Sequence, residues 1–133
     1  MPRNHANRFR PVWWLIAGLV VTVVACAGVV AQSTRDIAVT GRKYTYVVDG
    51  ASGPEIAVRE NDMVAITFSA SDIAHSFTIS DDLYRIDKRA QPGKPVTFRF
   101  LASKTGTFEI RCVLTIDERC QREMRGRLVV TGK

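Results

Sequence analysis

Twenty consecutive residues without a charge, Val12 to Ala31 (VWWLIAGLVVTVVACAGVVA), divide this chain into two unequal parts. As a helix the run would span roughly 30 Å, the hydrocarbon thickness of a bilayer. Trp13 and Trp14 stand at its head, where an aromatic belt meets the headgroups. Residues 1–11 carry Arg3, Arg8 and Arg10 and no acid, so the positive-inside rule keeps this basic N-terminus cytoplasmic and sends the rest across. The expectation is a single transmembrane helix over 12–31, with residues 32–133 as a periplasmic or otherwise extracytoplasmic domain. Two other fates compete for the same segment. Cleavage after Val29-Val30-Ala31 would release a soluble product. Val23-Val24-Ala25-Cys26 also has the form of a lipobox, which would place a lipid on Cys26.

What remains is enough for one ordinary domain, and its hydrophobic period is two. Val64, Ile66 and Phe68 alternate with Ala65, Thr67 and Ser69, and Val96, Phe98 and Phe100 alternate with Thr97 and Arg99. Phe108, Ile110 and Cys112 share one parity, and His75 opens a similar row with Phe77 and Ile79. Such alternation of β-branched and aromatic residues marks strands buried on one face. Turn residues punctuate them at Glu60-Asn61-Asp62, Gln91-Pro92-Gly93 and Lys104-Thr105-Gly106. Strands are expected near 36–40, 43–48, 55–58, 63–69, 75–79, 95–101, 106–112 and 125–131, with no helix-length amphipathic run. That spacing predicts an all-β domain, a Greek-key β-sandwich.

The formal charge of +6 overstates how basic the outer domain is, because Arg3, Arg8 and Arg10 precede the apolar run and all 13 acids follow it. No aromatic-studded basic patch is present, which argues against nucleic-acid binding. Arg111, Arg119, Arg122, Arg125 and Arg127 form either a solvated rim or a surface that steers an acidic redox partner. No Ser-His-acid set, phosphate loop or paired catalytic carboxylate emerges, and His75 is the one histidine after the apolar run. Acid–base enzymology has little to work with here.

The informative donors are His75, Cys112, Cys120 and Met124. One imidazole, two sulfurs and a thioether are borderline-to-soft ligands, a set that suits copper and Cu(I) in particular. Each has a plainer reading. His75 and Met124 would also serve as core residues. Two cysteines eight apart in an oxidising compartment would close a disulfide worth about 2–3 kcal/mol. Asp117 and Glu118, in the same loop, either add oxygen ligands or solvate its tip.

The run from Pro54 to Val130 resembles a cupredoxin, and among cupredoxins the copper-binding (CuA-type) domain of cytochrome c oxidase subunit II. The matching residues are Glu60-Asn61-Asp62, Asp72-Ile73-Ala74-His75-Ser76-Phe77 and Leu83-Tyr84-Arg85-Ile86-Asp87 leading to Pro92-Gly93. They continue with Lys104-Thr105-Gly106-Thr107-Phe108 leading to Cys112, and with Met124-Arg125-Gly126-Arg127-Leu128-Val129-Val130. The resemblance implies copper as cofactor, bound by His75, Cys112, Cys120 and Met124, on a membrane-anchored domain. The family's binuclear site uses two cysteines four apart, a histidine four further on and a methionine three after that. In this chain Ile116 stands at the second cysteine, Cys120 at the histidine, and Met124 comes one residue late. A two-copper centre cannot assemble unchanged from this set. The resemblance therefore implies an altered copper site in an electron-transfer protein, with Cu(I) storage or delivery, or a metal-free structural module, as alternatives. A redox or copper-delivery protein would be its partner.

Overall fold

The computed structural model describes residues 32–50 and 53–133. In chain order the elements are β1 (Thr34–Arg42), β2 (Thr45–Val48), β3 (Glu55–Arg59), β4 (Met63–Ala70) and β5 (His75–Ile79). They continue with β6 (Ile86–Ala90), β7 (Val96–Leu101), β8 (Gly106–Arg111), α1 (Glu118–Glu123) and β9 (Arg125–Thr131). One sheet runs β2-β1-β4-β7 and the other β3-β9-β8-β5-β6, giving the all-β sandwich that the alternation predicts. Among the described residues no helix is long and apolar enough to cross a membrane. The expected anchor at 12–31, with Cys26 and the alternative cleavage point, lies outside the described residues.

Both sheets are mixed. β1 pairs in parallel with β4, Ile37 opposite Ile66 and Val39 opposite Phe68, while β3 pairs in parallel with β9. The remaining ladders are antiparallel. The inward rows of the two sheets meet in an aromatic centre. Phe77 lies 5.4 Å from Phe98, 5.8 Å from Phe68 and 6.0 Å from Tyr46, centroid to centroid, at tilted or edge-on angles that suit the ring quadrupoles. The Tyr46 hydroxyl donates to Ser76 O at 2.6 Å, so this buried ring crosses between the sheets with its polar end satisfied. Gly126 makes a close approach possible, since a Cβ there would stand 2.8 Å from Pro54 O. The chain enters the sandwich on a clasp: Met63 N–H donates to Ser33 O at 2.9 Å, and the Ser33 hydroxyl donates to the buried Asp62 carboxylate.

Three elements depart from the expectation. β6 is a strand without alternation. Its ends, Ile86 and Ala90, are buried, and Asp87, Lys88 and Arg89 are exposed, as befits an edge strand that charge protects from further pairing. The loop after β8 contains a helix of six residues, α1, too short to carry an amphipathic period. β5 also differs from a half-buried strand, because all five of its residues are buried. The segment after β8 explains this: Val113 N–H donates to the Ser76 hydroxyl at 2.8 Å, closing the outer face of β5. Thr78 reaches Asp87 on β6 at 3.1 Å.

Candidate metal centre

His75 opens β5 and is fully buried. Its Nε2 lies 2.7 Å from Asp72 Oδ1, and its Nδ1 faces Cys120 Sγ at 3.8 Å. A carboxylate acceptor at Nε2 holds the hydrogen of a neutral ring there, so the lone pair at Nδ1 points towards the sulfurs. The ring packs against β1 at Gly41. A Cβ at Gly41 would come within 2.8–2.9 Å of three His75 carbons, so only glycine leaves room for the imidazole.

Cys112 follows the last residue of β8, continuing the buried row of Phe108 and Ile110. Cys120 comes from α1. Asp117 caps that helix, its side chain accepting from Arg119 N–H at 3.0 Å and Cys120 N–H at 3.1 Å, as an N-cap aspartate does. Met124 ends α1, its N–H donating to Cys120 O at 3.2 Å. Cys112 N–H then donates to Met124 O at 3.3 Å, tying both ends of the loop together. One helical turn thus stacks Cys120 against Met124, Sγ to Sδ 3.9 Å. The sulfurs of Cys112 and Cys120 are joined in a disulfide, with the two Cα atoms 5.4 Å apart. The donor atoms of His75, Cys112 and Cys120 lie within 4.8 Å of one another, and all three side chains are buried.

All four residues singled out from the sequence therefore converge at one end of the sandwich. The neighbours do not. Ile116 is 87% exposed and turned to solvent, so the position of the family's second cysteine takes no part. The Asp117 carboxylate is committed to the helix cap, and Glu118 is exposed in its first turn. Asp72 and Gly41 had no assigned role. Their signals were an acid three residues before His75, and a glycine at the end of an otherwise continuous strand pattern.

Three of the five arginines expected to cluster here are matched by acids. The Arg119 guanidinium sits 4.4 Å from the centroid of Tyr44 and pairs with Glu123 at 3.1 Å. Arg125 pairs with Glu109 at 3.1 Å and Arg127 with Glu55 at 2.9 Å. Most of the expected arginine cluster is thus a rim of exposed ion pairs.

Partial burial opposes ionisation of Asp72, but the Lys43 N–H, the His75 ring and the Ile73 N–H outweigh it and hold its pKa at about 2. The Lys43 bond is 2.8 Å long and fixes the β1–β2 turn over the site. A folded-state value below the ordinary carboxylate means that the ionised form stabilises the fold. That contribution is complete above about pH 4 and is lost as the pH falls towards 2. Asp72→Asn should cost about 1–2 kcal/mol near neutrality. In urea melts of the metal-free protein, the gap between wild type and variant should close across this acid window. A gap that stays constant down to pH 2 would remove the carboxylate from the account.

No family model matches the chain. Over 69 residues it is 35% identical to cytochrome c oxidase subunit 2 of Thermostichus vulcanus, a match that covers 52% of this chain and 20% of that protein. This chain thus spans about a fifth of that relative's length. Among solved structures, it superposes with a TM-score of 0.62 on the periplasmic domain of cytochrome oxidase subunit II from Bradyrhizobium japonicum, at 18% identity over 74% of this chain and 84% of that one. A mixed disulfide between a thioredoxin-like protein and subunit II of a cytochrome c oxidase gives 0.60, at 19% identity over 74% and 82%. Auracyanin A, a blue copper protein of Chloroflexus aurantiacus, gives 0.56, at 17% identity over 74% of this chain and 100% of that one. The fold is that of the cupredoxins. In sequence the domain is similar to cytochrome c oxidase subunit II.

Proposed function

We propose that this is a membrane-anchored, extracytoplasmic copper-binding protein related to oxidase subunit II, which takes up one copper ion for electron transfer once its Cys112–Cys120 bridge is reduced. The observation that carries the reading is the convergence of His75, Cys112, Cys120 and Met124 at one buried point. With the bridge closed these donors do not suit copper, because neither sulfur is a thiolate and only an imidazole and a thioether remain. Opened, the same residues offer two thiolates, Nδ1 of His75 and the Met124 thioether, a set that favours copper and Cu(I) above all. Bound there, copper would supply one-electron redox chemistry.

The chain's own part is to hold the donors still. Asp72 and Gly41 fix the imidazole, and the Asp117 cap with the Cys112–Met124 backbone bond fixes the loop. Burial excludes water, and a site that moves little on changing charge state transfers electrons with little reorganisation. The subunit II captured with a thioredoxin-like protein supports a dithiol partner acting on the bridge. The uncharged run at 12–31 after three arginines supports the anchor and the outside location.

A second reading, Cu(I) delivery, is favoured by one observation: three of the four donors are sulfur. Titration of the full chain in detergent separates these readings. The oxidised protein should take up no stoichiometric copper. The reduced protein should bind one Cu(I), and on oxidation should give intense sulfur-to-copper absorption if it cycles as an electron carrier. Reversible uptake with no stable oxidised form would favour delivery, and no uptake by the reduced chain would sink both.

A further inference from the structure

The two ends of the sandwich expose different chemistry. Thr34, Met63 and Leu101 stand level across β1, β4 and β7 at one end. Gly41 and His75 mark the other, where the metal donors converge. From Thr34 to Gly41 the strand rises roughly 23 Å. Among the described residues three large apolar side chains are exposed, Leu83 at 51%, Leu101 at 38% and Ile116 at 87%. Ile116 belongs to the donor end, in the loop between Cys112 and Cys120, and the two leucines belong to the Thr34 end. Leu101 is there by register. Leu83 is held there by its neighbour Tyr84, which donates its hydroxyl to Lys104 O at 3.2 Å and meets Phe100 and Phe108 edge-on.

The same end has a basic cavity. Arg35, Arg59, Asp62 and Thr131 line an open space of about 240 Å³, together with Ala57 and Val58. Both arginines are exposed, and neither forms an ion pair with an acid among the described residues. The Asp62 carboxylate is taken up by the Ser33 hydroxyl and by Arg59 N–H at 3.0 Å. The chain also enters the domain here. Ser33, clasped to Asp62 and to Met63 N–H, comes two residues after Ala31, where the uncharged run ends.

We infer that this end of the sandwich rests on a phospholipid surface, with Leu83 and Leu101 dipping to the acyl boundary and the Arg35–Arg59 cavity taking a lipid phosphate, so that the metal donors face the water. The inference rests on the reading of 12–31 as an anchor and adds what the anchored domain touches. Two extended residues reach roughly 7 Å, about the depth of one headgroup layer, so the Ser33 clasp cannot leave the surface. Leucines exposed at that depth gain by leaving water, and a guanidinium fork suits a phosphate. Glu60 and Asp81 stand at this end too. The contact is therefore made by two leucines and two local arginines, not by a broad positive field. A partner of the metal centre then arrives from the aqueous side, at the end of the strands farthest from the headgroups.

The test uses the full chain in vesicles of phosphatidylcholine and phosphatidylglycerol, seeded with a lipid that carries a diazirine near the top of one acyl chain. After irradiation, cleavage after arginine and lysine puts Leu83, Leu101 and Ile116 on three different peptides. Lipid adducts are expected on Leu83 and Leu101 over Ile116 by about tenfold or more, although Ile116 is the most exposed of the three. Arg35→Gln with Arg59→Gln should cut both leucine yields about twofold or more while leaving the melting temperature in place. Unchanged yields in that variant would overturn the phosphate site. Adducts on Ile116 instead, or an even spread over all three, would overturn the orientation. Dimers in detergent that Leu83→Asp with Leu101→Asp turns into monomers would hand this face to a second copy and overturn the inference as well. Adducts within residues 12–31 but on neither leucine would overturn it and leave the anchor standing. A chain that washes off the vesicles in alkaline carbonate would overturn both.

Discussion

Cys112→Ser should leave the reduced chain unable to retain copper through a desalting step that wild type survives, and His75→Ala should do nearly the same. These residues bring the two least replaceable donors, a thiolate at the end of β8 and an imidazole at the start of β5, from two strands well separated in the sequence. His75 is the one imidazole among the described residues, and no neighbour can replace its Nδ1. The loss should far exceed the roughly 10–100-fold expected for removing an outer partner such as the Asp72 carboxylate. Met124→Leu keeps the packing of α1 and removes a weak donor, so it should shift the reduction potential more than the affinity. Cys120→His should be accepted by the fold and should move the charge-transfer spectrum towards that of an ordinary one-cysteine cupredoxin. Copper content by elemental analysis, read beside the absorption spectrum, checks all four. Equal copper in wild type and Cys112→Ser would remove the centre proposed here.

Phe77→Ala should lower the unfolding free energy by about 3–5 kcal/mol, the range for emptying a fully enclosed aromatic site. For a domain whose total stability is about 5–15 kcal/mol, that is a large share. Phe77 is fully buried in an interior strand of the five-stranded sheet and touches Tyr46, Phe68 and Phe98 across the sandwich. The flanking ladders leave the cavity little freedom to collapse. Phe77→Leu should cost less, because it keeps most of the volume. Urea unfolding with the Cys112–Cys120 bridge intact in every variant measures this without changing the loop entropy of the unfolded chain. A loss under 1 kcal/mol would show that the aromatic cluster is not the centre of the core.

The strands with clean alternation were legible because one face of each meets the core and the other meets water. β8 follows that rule from Thr107 to Arg111, and β4 follows it except at Ala65, which is buried as well. β6 was not legible, since three charged residues on an edge strand produce no period at all. The buried polar face of β5 was hidden as well. Ser76 and Thr78 are covered by groups from residues 113 and 87, and no local pattern records a neighbour that distant. α1 is shorter than two helical turns, and its one clear sign is the Asp117 cap.

The sequence by itself determined the sandwich class, the donor types and the absence of a second imidazole after the apolar run. These follow from composition and period, which every residue carries with it. Only the tertiary structure decided how the donors stand towards one another. The six residues of α1 fold Cys120 back to 5.4 Å from Cys112, Cα to Cα, and turn Ile116 outwards. The bare backbone at Gly41 admits the imidazole, and Asp72 aims its Nδ1 at the sulfurs. Those relations depend on the packing of β1 and α1 against β5 and β8, elements separated by tens of residues. A sequence read one segment at a time holds no term for that packing.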